Sequence, residues 1–433
     1  MTFRMLMLLL GLASGQDLET ARAEPLDVIV SEQGSGRATG YAETNKIITW
    51  RGKTHVAWLD SEEGAFPVRI RTLDHQTQRW SEVRTIGGAA DNHGGPALTI
   101  DGEGYLHVVF YPHHHPMRYR RSLNPNDASA WTEVTEVGER ATYPTLVCGP
   151  DGTLILTCRE SRSEEPWVVR LYRKPPGEPW SKGQTILRSE HKGYSHFQEA
   201  LAWGPDHETL HLSCRIYSGK PVRGHTVGYL VSRDFGRTWT RRDGEAVTLP
   251  ATAKTVDVIA SEPEGASIGL RCGTLAVDGS GRPWVIYSSY DSRPPRAFLS
   301  TPGESGWRRE ELTLPPEYEG WGLNLPGGLA FDDQGRLQAV LTMMRPAPES
   351  EETLWGHPTS EIVLLEWKTE GASPSVRALT EMRLDRPRWL PNLERPTGFN
   401  EIGTPSLLYT DGERGEKLTD MLSNGVHWVR LVR

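Results

Sequence analysis

One pattern recurs along this chain at a spacing of about 50 residues. A short strand ends in a turn with Asp and Gly, a more apolar strand follows, then a third, and a Trp opens the last. The first strands are read at Lys46–Trp50, Pro96–Ile100, Pro144–Val147, Ala200–Trp203, Thr274–Val277, Gly328–Phe331 and Pro405–Tyr409. The matching tryptophans are Trp80, Trp131, Trp180, Trp239, Trp307, Trp367 and Trp428. A four-stranded sheet of this length cannot bury both faces alone, so such units must stack on one another. Repeated four-stranded units that stack radially make a β-propeller. The pattern therefore predicts an all-β chain, a seven-bladed β-propeller forming a single domain over 24–433. Leu26–Val30 is expected to supply the strand that closes the ring against the C-terminal blade. The repeating Trp is read as packing between blades, not as a sugar platform.

Composition narrows the function. The formal net charge is −8 and charged residues make up 24%. No bulk basic field is present, so nucleic acid is not an expected partner. Attraction for an anionic ligand must come from a local cluster. Met1 to Ala23 reads as a secretory signal: Arg4 in the n-region, Met5–Leu12 as a short apolar run, and Ala21-Arg22-Ala23 as the cleavage site. That run is too short to span a bilayer, and no other membrane span is expected. The protein is thus expected to be secreted or periplasmic, and a monomer. Cys148, Cys158, Cys214 and Cys272 are an even number in an exported chain, which permits disulfides. Their apolar, strand-like settings suit buried thiols equally well.

Three local features bear on the ends of the blades. Ser232-Arg233-Asp234-Phe235-Gly236-Arg237-Thr238-Trp239 resembles the Asp-box of sialidase-type propellers. It is a hairpin turn capped by the Asp side chain, and carries no chemistry. Gly244–Arg271 reads as an insertion between the fourth and fifth units, and Arg345–Thr359 as a polar loop of the sixth. Long loops at one end of a propeller are expected to wall a ligand funnel.

Aligning the units locates the chemistry. Arg159 and Arg215 fall at the same place, the end of the second strand, in LILTCR and LHLSCR. The equivalent in the second unit is Tyr111, two residues before His113. His93 and Tyr143 stand just before the first strands of their units, in HGGP and YPTL. These five should converge at one rim. A guanidinium fork binds a carboxylate, and a nearby His or Tyr can move a proton. The combination suits β-elimination on a uronic acid, where a neutralised carboxylate stabilises the charge that develops as the C5 proton leaves. A lone Arg at a strand end is usually an ion-pair residue, and His93 near Asp91 can serve merely as a turn cap. Two arginines in matched register favour function. Of His113–His115, one should point into the site, and adjacent residues rarely converge on one metal ion. Arg118, Arg120 and Arg121 read as a solvated strand face.

The segments DNHGGPAL, HHHPMRYRRS, TYPTLV, SHFQEALAW and ERPTGFNEIGTPSLLYTDGERGE resemble the BNR-repeat-containing family of seven-bladed propellers. That family includes ulvan lyases and related lyases of rhamnosyl–glucuronate linkages. The resemblance implies that His113 and Tyr143 are the proton-transfer pair, with His93 beside them, and leaves open which is the base. It implies that Arg159, with either His93 or Arg215, holds the carboxylate, and Arg215, His196 and Tyr217 are counted with Arg159 as substrate-binding residues. Some relatives carry a zinc site, but here Phe399 stands where one of its histidines would be, so no metal ligands are assigned. A structural calcium in the channel is compatible with the family. The expected function is a polysaccharide lyase acting on an acidic, glucuronate-containing glycan. The alternatives are a glycoside hydrolase, rhamnosidase or sialidase-like, and a non-catalytic glycan-binding propeller.

Overall fold

The computed structural model describes residues 26–219, 223–290, 292–348 and 352–431. The expected leader Met1–Ala23 lies outside the described residues. Apart from one helical turn at Pro316–Tyr318, the regular structure among them is strand. Among the described residues no helix is long and apolar enough to cross a membrane.

Seven innermost strands ring a central channel: Ile47–Trp50, Ala97–Ile100, the C-terminal half of Thr135–Cys148, Ser195–Trp203, Leu270–Val277, Gly322–Phe331 and Arg388–Leu393. Each pairs antiparallel with the strand that follows it, and the blade grows outward from there. Thr135–Cys148 serves two blades. Its first half is an outer strand against His115–Asn124, and its second half is the inner strand against Leu154–Glu160.

Among the described residues, each gap between neighbouring blades holds an apolar cluster, and a smaller eighth cluster gathers Leu325, Trp389 and Leu390. The gap between third and fourth blades, for example, holds Val147, Ile155, Leu171, Phe197, Leu212 and Trp239, all buried. This is the stacking that the repeat demanded, because a strand buried on both faces reads as an apolar run. The ring closes where Leu26–Gly34 pairs antiparallel with Asn424–Arg430. That last gap is filled by Val30, Trp58, Leu408 and Trp428.

Three sequence expectations need correction. The inner strand of the seventh blade is Arg388–Leu393, and Ser406–Asp411 is its second strand. RWLPNL was passed over because Pro391 interrupts it and Leu390 takes φ 51°, with a register break between Trp389 and Asn392. Trp131 and Trp367 end strands, Trp180 lies outside any strand and Trp428 lies within a third strand, so none of the four opens an outer strand. The region 244–271 is not wholly loop, since Asp257–Glu262 pairs with His225–Ser232.

The Asp-box turn forms as expected. Asp234 accepts from the Thr238 N–H at 2.9 Å and its hydroxyl at 2.7 Å, Gly236 takes φ 75°, and Trp239 packs beneath at 1% exposure. All four cysteines are buried free thiols.

Candidate active site

Inner strands all run away from one mouth of the channel, and second strands return to it. Residues at the start of an inner strand therefore meet residues at the end of a second strand. His93, Tyr143 and His196 arrive by the first route, and His113, Arg159, Arg215 and Tyr217 by the second.

Asp91 organises one side. Its Oδ2 accepts from His113 Nδ1 at 2.5 Å. Its Oδ1 accepts from the His93 backbone N–H at 2.8 Å and lies 3.3 Å from His93 Nδ1. The two imidazoles stack with centroids 4.1 Å apart. Arg37 donates to His93 Nε2 and to the Tyr41 hydroxyl. Both nitrogens of His93 are thus engaged, which suits a neutral ring with its proton on Nδ1. His113 keeps Nε2 free of any hydrogen bond to a described residue. Burial raises the Asp91 carboxyl, but the hydrogen bonds from His113 and His93 outweigh it and hold it below the usual range. Burial pushes His93 down to about 3 despite Asp91, and Arg37 and His113 add to the fall.

The run His113–His115 divides as expected. His114 turns aside, with Nδ1 2.6 Å from the Ser161 hydroxyl, and His115 is exposed. Arg118 lies over the Tyr111 ring, and Arg120 donates to the backbone carbonyls of Thr132 and, across the gap to the first blade, of Ile86.

Tyr143 sits at a bulge in its strand, with φ 58° and a register break between Thr142 and Thr145. A bulky residue held at positive φ marks a place where the fold pays strain for position. Its ring meets Tyr41 edge-on at 4.8 Å and His196 at 4.9 Å. The Arg159 guanidinium lies 4.6 Å from the Tyr143 ring and 4.9 Å from the Trp167 ring. Arg215 donates to His196 Nδ1 at 3.1 Å and His225 Nδ1 at 3.3 Å, and lies 5.0 Å from the Tyr217 ring. Burial drives His196 well below its ordinary value, with Arg215, Arg271 and Arg159 adding to the fall. Burial and then Arg215 bring His225 down to about 3. These histidines are neutral near pH 7, so the positive charge here belongs to arginines.

All seven expected residues thus share one mouth. Several neighbours were missed. Arg37, Tyr41, Trp355 and Tyr194 come from loops with no repeat partner. Asp91 enters the sequence reading only as a neighbour of His93. Arg271 carried a weaker signal: it stands three residues before Thr274, where His93 and His196 stand four before Ala97 and Ala200, and the register break between Cys272 and Leu275 accounts for the offset.

Ligand atoms of Asp91, His93 and His113 lie within 4.8 Å of one another and could hold a metal ion. Those atoms already satisfy each other, and the Arg37 guanidinium on His93 adds a competing positive charge. Deeper in the channel Glu43 and Glu199 are fully buried. Lys46, Arg395 and Arg271 already bring three cations to Glu43, so Glu43 suits a resident calcium poorly. Burial raises both glutamates, Glu199 strongly.

Comparison with known proteins agrees with this architecture. Ulvan lyases from Pseudoalteromonas sp. (strain PLSV) and Alteromonas sp. (strain LOR) are each 23% identical to it, over 64% and 55% of this chain. The matches cover 65% and 56% of those proteins, so the chain spans less than two thirds of their length. A solved polysaccharide lyase, an ulvan lyase bound to glucuronate linked 1-4 to 3-sulfated rhamnose, shares the fold with TM-score 0.70 at 14% identity. The match covers 93% of this chain and 95% of that one. Residues 53–313, more than half of the chain, match the family described as "BNR repeat-containing family member". The chain belongs to the BNR repeat-containing family.

Proposed function

We propose that this mouth is the active site of a secreted polysaccharide lyase that cleaves a glucuronate-containing, rhamnosylated glycan by β-elimination. The names of the relatives support the reaction class. The observation that carries the reading is the pair of groups brought together here: a histidine held by a carboxylate, and guanidiniums without one. No ion pair joins Arg159 or Arg215 to a carboxylate among the described residues. Both Asp91 oxygens are taken by histidines, so the cluster lacks the two working carboxylates of a typical glycosidase.

Arg159 and Arg215 receive the uronate carboxylate and withdraw charge from C5. His113, its Nδ1 proton fixed on Asp91, takes the C5 proton at Nε2. The C5–H electron pair forms the C4–C5 double bond, the C4–O bond breaks, and the Tyr143 hydroxyl gives its proton to the departing oxygen. In a glucuronate the C5 hydrogen and the C4 oxygen lie on one face, so both groups can work from the same side. His93 holds Arg37, while His196 holds Arg215, and Tyr217 lines the approach. Export rests on the Met1–Ala23 leader, and N-terminal sequencing of the mature protein checks it.

The test is product analysis on glucuronate–rhamnose glycans. An unsaturated uronate at the new non-reducing end, seen as ultraviolet absorbance, is expected. Saturated sugars would instead mean hydrolysis. Tyr143→Phe and His113→Ala should each lower kcat by about a thousandfold, and unchanged turnover in either would remove that residue from the mechanism.

A further inference from the structure

The mouth carries more positive charge than one uronate can answer. Arg37, Arg159, Arg215 and Arg271 gather there, and none has an ion-pair partner among the described residues. The Asp91 carboxylate among them is already shared by two imidazoles, and Glu43, which lines the same cleft as Arg271, has its carboxyl raised by burial. An unpaired cation in a partly dry site is costly unless a ligand anion completes it.

Arg271 enters the mouth on an inner strand of its own, Leu270–Val277. Its guanidinium lies between two aromatic rings, 4.5 Å from Tyr290 and 5.5 Å from Trp355. Such rings fix a cation's position without neutralising it. Trp355 is fixed in turn, stacked on Tyr41 at 6.0 Å and edge-on to Trp389 at 5.0 Å. Arg271, Trp355 and Tyr41 also line one small cleft at the centre of the mouth, with Gln198 and Glu43. The Arg271 charge also reaches Arg215, which burial and then this neighbour bring down to about 9. Two guanidiniums this close favour a substrate that carries more than one negative group.

We infer that Arg271, clamped between Tyr290 and Trp355, is a second anion subsite that takes an acidic group on the sugar next to the reacting uronate. The inference rests on the reading of this mouth as a site for an acidic glycan. The ligand chemistry is an oxyanion, supplied by a sulfate ester or by a further carboxylate.

Three matched oligosaccharides test it: glucuronate–rhamnose chains with sulfated rhamnose, the same chains desulfated, and sulfated chains whose neighbouring uronate is reduced to a neutral sugar. Calorimetric affinity and turnover are measured for the wild type and Arg271→Gln. The variant should bind the fully acidic chain about tenfold or more weakly, the range for one charge-assisted hydrogen bond, with a larger effect on affinity than on kcat. If desulfation erases the difference between wild type and variant, the group is sulfate. If uronate reduction erases it, the group is the carboxylate. Equal loss on all three chains, or no loss on any, overturns the subsite. If Arg271→Gln does not fold, Arg271→Lys replaces it, since a lysine keeps the charge but not the fork, and the same selective loss is expected. Calorimetry needs no turnover. Absence of unsaturated product from every glycan would therefore sink the lyase reading, while flat affinities would sink the subsite alone.

Discussion

Asp91 shows how one side chain can set the chemistry of two others. By accepting from both Nδ1 positions it fixes the tautomer of each ring and leaves His113 Nε2 as the acceptor. Asp91→Asn keeps the shape but removes the charge that holds those protons. It is expected to lower kcat by on the order of a hundredfold, the rate equivalent of losing one hydrogen bond to a charged group, with KM within about twofold. A KM effect larger than the kcat effect would mean that Asp91 serves binding instead. Arg37 is the converse case: it bonds uncharged partners and keeps its charge. None of this was legible from residue types alone, because Asp91 and Arg37 belong to loops outside the repeat.

At the scale of an element, blades are built from turns and from Trp contacts that the sequence spells out. Asp234 accepts four hydrogen bonds within its own turn, from Ser232, Arg237 and Thr238. Asp234→Ala should cost about 1–2 kcal/mol of stability and leave turnover unchanged, as read by urea unfolding beside an activity assay. Trp428 is fully buried in the closing gap and meets Trp80 at 5.1 Å. Trp428→Ala should cost about 3–5 kcal/mol. A loss below about 1 kcal/mol would show that the closing gap contributes little. Inner strands were less legible than outer ones. Where they bend into the mouth they break register, at Thr142/Thr145, Cys272/Leu275 and Trp389/Asn392, and the break scrambles the period-2 pattern that marks a strand.

For the whole molecule, the channel is a reservoir of buried charge with a pH signature. Glu394 is almost completely buried and accepts from the Thr49 N–H at 2.6 Å and its hydroxyl at 2.9 Å. Burial outweighs these bonds and pushes it up to about 7 from an ordinary 4.5. Between those values the folded protein holds a proton that the unfolded chain has released. Stability from this group is therefore greatest at low pH and falls as pH rises toward 7. The full change is about 3 kcal/mol at 1.36 kcal/mol for each pH unit. Lys46, brought down to about 7 by burial, acts with the opposite sign above pH 7. Glu394→Gln should flatten the fall between pH 5 and 7. Unfolding curves for both proteins at those two pH values check this, and parallel pH dependences would remove Glu394 as the source.

The repeat, the hairpin turns, the closing strand and the matched placement of Arg159 with Arg215 were determined by sequence, because each depends on neighbours within about 50 residues or on exact recurrence. Tertiary structure alone decided what lies across the channel mouth. Arg37, Asp91, Arg271 and Trp355 span 319 positions along the chain, from 37 to 355, and meet only because seven blades close into a ring. Chain order records nothing of that closure: inner strands that touch across an axis share no local pattern, and the loops that cap them follow no period.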